Sequence, residues 1–202
     1  MNKFVMIASV AASVLALSSS PAVAQKRSDA DRVMQTYAQC VVNGRPAEAR
    51  RILTLSPETK EADDAVLAIS DGRQGCLRTN AGSKLRMQTP ALRAAIARQL
   101  YLRDVTVPPA ETTVNTSAPF TGSGKAQLVS QDVARCAATR DAVAADMLIR
   151  ADVRSDAEKS ALQRLMPVIS SCTPTGARLG FNRDTLRGHL AEALLAARAT
   201  GA

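Results

Sequence analysis

Few side chains in this sequence have the types and spacing that chemistry needs. His189 is the only histidine. A lone imidazole can act as a general base beside a hydroxyl or a carboxylate, but there is no second histidine with which to share a zinc ion. The four cysteines, Cys40, Cys76, Cys136 and Cys172, form no C-x-x-C pair and have no histidine beside them, so a redox or metal role is the weaker reading and no metal or cofactor is expected. Glu58, Glu61, Asp63 and Asp64 could be imagined as an acid and base pair. Their place early in a helix explains them more simply, because carboxylates there complement the helix dipole, and they read as a solvated face. Gly122-Ser123-Gly124-Lys125 lacks the first glycine and the trailing hydroxyl residue of a phosphate-binding loop. Asn115-Thr116-Ser117 has the form of a glycosylation sequon, which has meaning only in a eukaryotic secretory pathway.

Charge offers a different chemistry. The chain carries 26 basic and 18 acidic side chains, net +8. The excess is concentrated in residues 25–103, where Arg73, Arg78, Lys84 and Arg86 cluster around one loop and Arg93 and Arg98 follow. Such a face could hold the phosphates of an envelope glycolipid or a phospholipid surface, although an ordinary arginine-rich surface accounts for it too. With no tryptophan and only five Phe and Tyr residues to stack bases, specific nucleic-acid recognition is not expected.

The elements that position these residues are predicted to be helices. Alanine, leucine and arginine are abundant and aromatic residues are 2% of the chain, which points to an all-α class. The cysteines lie 36 residues apart within each half, and both pairs are offset by 96. At that offset Val33, Ala38, Ile52, Leu53, Ala65, Val66 and Ile69 fall on Val129, Ala134, Leu148, Ile149, Ala161, Leu162 and Leu165. Past the second cysteine the register shifts by two residues, setting Leu92-Arg93, Ile96 and Leu100 over Leu186-Arg187, Leu190 and Leu194. A shared apolar pattern is what two copies of one fold must keep, so the chain reads as two four-helix units, residues 25–104 and 129–202. The first helix is expected from near Ser28 with Val33, Met34, Tyr37 and Cys40 on its inner stripe. The second opens at Pro46, the third has Pro57 in its first turn, and the fourth starts at Thr89-Pro90. In the second copy, Ser155 and Glu158 form a capping box, and Asn182 or Asp184 opens the last helix. The equivalent Arg93 and Arg187 suit ion pairs or carbonyl contacts at the core edge. Residues 105–128, rich in Pro, Thr, Ser and Gly, read as a linker.

Residues 1–24 carry Lys3, an apolar run from Phe4 to Leu17, and Ala22-Val23-Ala24, the layout of a cleavable export signal ending before Gln25. The run is too short to span a bilayer, no later segment is longer, and so no transmembrane segment is expected in the mature chain. Export to the periplasm or beyond permits disulfides. A unit of this size buries too little surface to be stable without a staple, and closing a 36-residue loop contributes about 4 kcal/mol. Locality favours Cys40–Cys76 and Cys136–Cys172 among the three possible pairings. The expected function is a non-enzymatic binding or interaction module of the cell envelope, with a protein or an anionic component as partner. The alternatives are an enzyme whose site centres on His189 and a charge-driven binder acting through the basic face.

Overall fold

The structure, a computed structural model, describes residues 21–70, 75–76, 88–110 and 120–200, with the backbone alone for 21–29. Eight α-helices are present and no strand occurs among the described residues. They are α1 (Pro21–Gly44), α2 (Pro46–Thr54), α3 (Lys60–Ser70), α4 (Thr89–Asp104), α5 (Val129–Arg140), α6 (Ala142–Arg150), α7 (Asp156–Cys172) and α8 (Arg183–Ala199), with a short 3-10 turn, Ala126–Leu128, before α5. Disulfides join Cys40 to Cys76 and Cys136 to Cys172. No described helix is long and apolar enough to cross a membrane. Residues 1–20 of the expected export signal lie outside the described residues, and Ala22 to Ala24 fall in the first turns of α1.

Helix ends follow local chemistry. Pro46 and Pro90 sit in the first turns of α2 and α4, where a missing N–H costs nothing. Asn182 caps α8, its side chain accepting from Asp184 N and Thr185 N while the Thr185 hydroxyl accepts from Asn182 N, a complete capping box. Two expectations are corrected. Helix α3 does not begin at Pro57: Glu58 adopts φ 60°, which turns the chain, and Thr59 then caps the helix by accepting from Ala62 N at 3.2 Å. Ser155 does accept from Glu158 N at 3.1 Å, but the Glu158 carboxylate does not return to Ser155; it accepts from Arg154 N at 2.7 Å and turns inward to Arg187. Val33 is also 44% exposed, and the buried face of α1 runs instead through Tyr37, Ala38, Val41 and Val42.

Local geometry recurs along the chain. Helices α2 and α6 are each nine residues long and start 96 residues apart. Glu58 and Arg154, also 96 apart, are the two non-glycine residues with positive φ among the described residues. Thr59 and Ser155 each cap a helix and donate their hydroxyls at 2.8 Å to the carbonyls of Ser56 and Asp152. Helices α4 and α8 start 94 residues apart.

These two helices are the centre of the molecule. They pack against each other, with α1, α2 and α3 on α4, and α5 and α6 on α8. One face of α4, with Leu92, Ala95, Ile96 and Leu100, joins α1, α2 and α3 in a first core, while Ala97 and Tyr101 join α5 to α8 in a second. The closest approach is at Ala94 and Gly188, where a Cβ added to the glycine would stand 2.3 Å from Ala94 Cβ and 2.4 Å from its carbonyl oxygen. Glycine is required there by the backbone of α4. Around 105–128, Val105 is buried, the Val107 carbonyl accepts from Arg198, Phe120 packs against the second core, and Ser123 donates twice to Asp132.

Candidate functional site

The central pair of helices carries two arginines at equivalent places. Arg93 of α4 donates to the carbonyls of Ile52 and Leu55, at 2.7 and 2.9 Å, at the C-terminal end of α2. Arg187 of α8 donates to the carbonyls of Leu148 and Ala151, at 3.0 and 3.3 Å, at the end of α6. Carbonyls at a helix end lack partners within the helix, so each arginine ties down a neighbour's C-terminus. Both make the carbonyl and carboxylate contacts expected of them. Their carboxylates differ in origin: Arg187 pairs with Glu158 of α7 at 2.9 Å, whereas Arg93 pairs with Glu192 of α8 at 2.5 Å, across the two halves.

Beside Glu192 a cleft of about 760 Å³ opens between α2 and α4 on one side and α5 and α8 on the other. Leu53 and Leu100 form one wall, and Ala193, Leu195, Ala196 and Ala199 form a stripe along α8 as the other. Gln131 of α5 and His189 of α8 both line it. Gln131 Oε1 and His189 Nδ1 are both buried, and neither has a hydrogen-bond partner among the described residues. A polar atom buried without a partner costs about 1–3 kcal/mol. His189 is only 9% exposed, and burial lowers its pKa below the ordinary 6.5, with Glu192 opposing and Arg93 adding to that shift. The ring is therefore neutral at neutral pH. The cations around the cleft are engaged: Arg50 with Asp104 at 2.8 Å, Arg93 with Glu192, and Arg135 with Asp132 at 2.9 Å.

The opposite side of the α4 and α8 pair has a smaller pocket, about 40 Å³, with Gln35, Ala91 and Thr185 in its lining. There Gln35, 96 residues before Gln131, accepts from Arg98 at 3.2 Å and from Gln99 at 2.9 Å. Arg98 also donates to Ile149 O at 3.0 Å. Burial and the neighbouring Arg187 hold the Arg98 pKa below its ordinary value. Tyr101 donates to Asp146 at 2.7 Å, and Arg150 lies over its ring while donating to Asp146 and to Val105 O.

His189, read from sequence as a residue at the edge of the core, is there, but as the floor of a cleft rather than with a satisfied imidazole. Gln131 was not singled out by any motif; its one signal is that Arg98 and Gln99, which donate to Gln35, have Glu192 and Ala193 at the positions 94 residues later. Arg73, Arg78, Lys84 and Arg86 of the basic face lie outside the described residues, and Arg93 is 6% exposed with the contacts given above. Glu61 and Asp63 sit in the first turn of α3, and Lys60 pairs with Asp64 on its exposed side. Among the described residues no group of His, Cys, Asp and Glu could hold a metal ion. No protein-family model matches the chain, and no curated protein and no solved structure shows significant similarity to it.

Proposed function

We propose that the chain is an exported binding protein built from two copies of a disulfide-stapled four-helix unit, which holds its ligand in the cleft between the copies. The observation that carries the binding role is a 760 Å³ cleft with mostly apolar walls, lined also by the polar side chains of Gln131, His189 and Glu192. That volume lies within the range of small-molecule sites, and a mostly apolar wall with a few convergent polar groups is their usual make-up. The duplication is supported by the recurring cap hydrogen bonds, the matched positive-φ residues, the paired disulfides and the two arginines, all at offsets of 96 or 94 residues. Two disulfides and the sequence of residues 1–24 support export to an oxidising compartment.

Protein isolated from the exported fraction and sprayed under native conditions should carry a small-molecule adduct. Ala196→Phe, which fills the cleft from an exposed position, should remove it. Isolation of both forms without any adduct, and with the mature chain starting elsewhere than Gln25, would contradict both the site and the export route. An enzymatic role keeps one supporting observation, a neutral imidazole in a cleft. It requires His189→Gln to abolish turnover while the ligand is still bound.

A further inference from the structure

Independently of the cleft, we infer that Cys40–Cys76 is a thiol–disulfide exchange site, opened by a dithiol reductant while Cys136–Cys172 stays closed. Both bonds join cysteines 36 residues apart, so chain entropy does not separate them. Their surroundings do. Cys40, near the end of α1, and Cys76, beyond α3, are each only partly buried, and neither belongs to the buried set of the first core. Cys172 ends α7 with no exposed surface, a member of the second core together with Val168 and Ile169. Its partner Cys136 is partly buried.

Exchange begins when a thiolate attacks one sulfur and expels the other as a thiolate. In Cys40–Cys76 both residues border solvent, so the expelled thiolate keeps access to water. In Cys136–Cys172, burial blocks attack on Cys172. Attack on Cys136 would expel the Cys172 thiolate into an apolar interior, which raises a thiol's pKa and makes it a slow leaving group. At the open bond the reductant's second thiol then displaces the protein from the mixed disulfide. The reductant ends as its own disulfide, having given up two electrons and two protons, and Cys40 and Cys76 end as thiols.

The consequence is local. Cys40–Cys76 ties α1 to the chain after α3, around the smaller of the two cores among the described residues. The second core keeps its own disulfide, and α4 keeps its packing on α8. Opening the first bond therefore loosens α1 to α3 and uncovers Leu92, Ile96 and Leu100 of α4, while α5 to α8 stay folded.

The test exposes the full oxidised protein to dithiothreitol without denaturant, traps free thiols with iodoacetamide at intervals and maps the labelled cysteines. Cys40 and Cys76 are expected to label about tenfold faster than Cys136 and Cys172, or faster still, while the helical circular dichroism persists. Hydrogen exchange of the singly reduced, trapped protein should show protection lost in α1 to α3 and kept in α5 to α8. The double variant Cys40→Ser with Cys76→Ser should take up no label on the same timescale. Equal labelling of all four cysteines, earlier labelling of Cys136 and Cys172, or labelling only as the helical signal is lost would overturn the exchange site. Rapid labelling of the double variant would show that burial of Cys172 does not protect its bond, and would overturn it too. Protection lost in all eight helices would overturn the local opening.

Discussion

The two sides of the α4 and α8 pair start from the same backbone and end in opposite states. On one side Arg98, Gln99, Leu102 and Val105 project from α4, and Gln35 is satisfied by Arg98 and Gln99. On the other, the positions 94 residues later are Glu192, Ala193, Ala196 and Ala199, and Gln131 is left without a donor. Glu192 cannot donate to an amide oxygen and turns to Arg93 instead, and three alanines replace the side chains that would fill the space. Three smaller side chains and one reversal of charge therefore separate the open side from the other. The core beneath is unchanged, because it depends on the arginine ties and the close packing of Ala94 on Gly188, which serve both sides.

Features shared by the two sides should be the most costly to break. Gly188→Ala would drive a methyl group into the backbone of α4, and a loss of roughly 3 kcal/mol is expected, read as the shift of the urea midpoint. A variant as stable as the parent would mean that α4 and α8 are not in close contact. Next come the features of the Gln35 side alone. Arg98→Ala strips donors from Ile149 O and from Gln35, with an expected loss of about 2 kcal/mol. Glu192→Gln, its counterpart on the open side, weakens one ion pair but leaves the carbonyl contacts of Arg93, so a smaller loss is expected from the same measurement.

The imidazole gives a third contrast, visible in pH. Burial lowers the pKa of His189, so below its ordinary value of 6.5 the unfolded chain takes up a proton that the folded protein resists. Its contribution to stability is intact above 6.5 and is lost as pH falls from there towards the lowered folded value. The slope cannot exceed about 1.4 kcal/mol per pH unit. Replacing His189 by Gln should flatten this part of the profile of unfolding free energy against pH. An unchanged slope would show that other groups produce it.

Much of the frame was legible in the sequence, because it depends on spacings that recur in both halves of the chain. Cysteine spacing indicated both disulfides, prolines and Asn182 marked helix starts, and the equivalence of Arg93 and Arg187 pointed to their structural contacts. The start of α3 was misplaced because a proline that suits a first helical turn also suits the turn before a helix, and Glu58 takes the left-handed conformation that decides between them. Glu158 was read as the partner of Ser155, since spacing along one helix says nothing of Arg187, which arrives from α8. The cleft was not legible for a related reason. It is made by what Ala193, Ala196 and Ala199 lack, and His189 and Gln131 come to line one cleft only when α5 packs on α8. Alignment of the two halves for matching residues passes over such positions. Alignment for lost size and reversed charge would have found them.

The most direct test compares the two glutamines at equivalent places. Replacing Gln35 by Leu removes an acceptor that Arg98 and Gln99 both use, while replacing Gln131 by Leu removes a buried oxygen that nothing in the described protein uses. If the open side is kept for a ligand, urea denaturation of the ligand-free protein will show Gln35→Leu less stable by about 1–2 kcal/mol and Gln131→Leu as stable as the parent or more so. Equal losses from both substitutions would mean that Gln131 serves the fold, and would contradict the cleft as a site held open for binding.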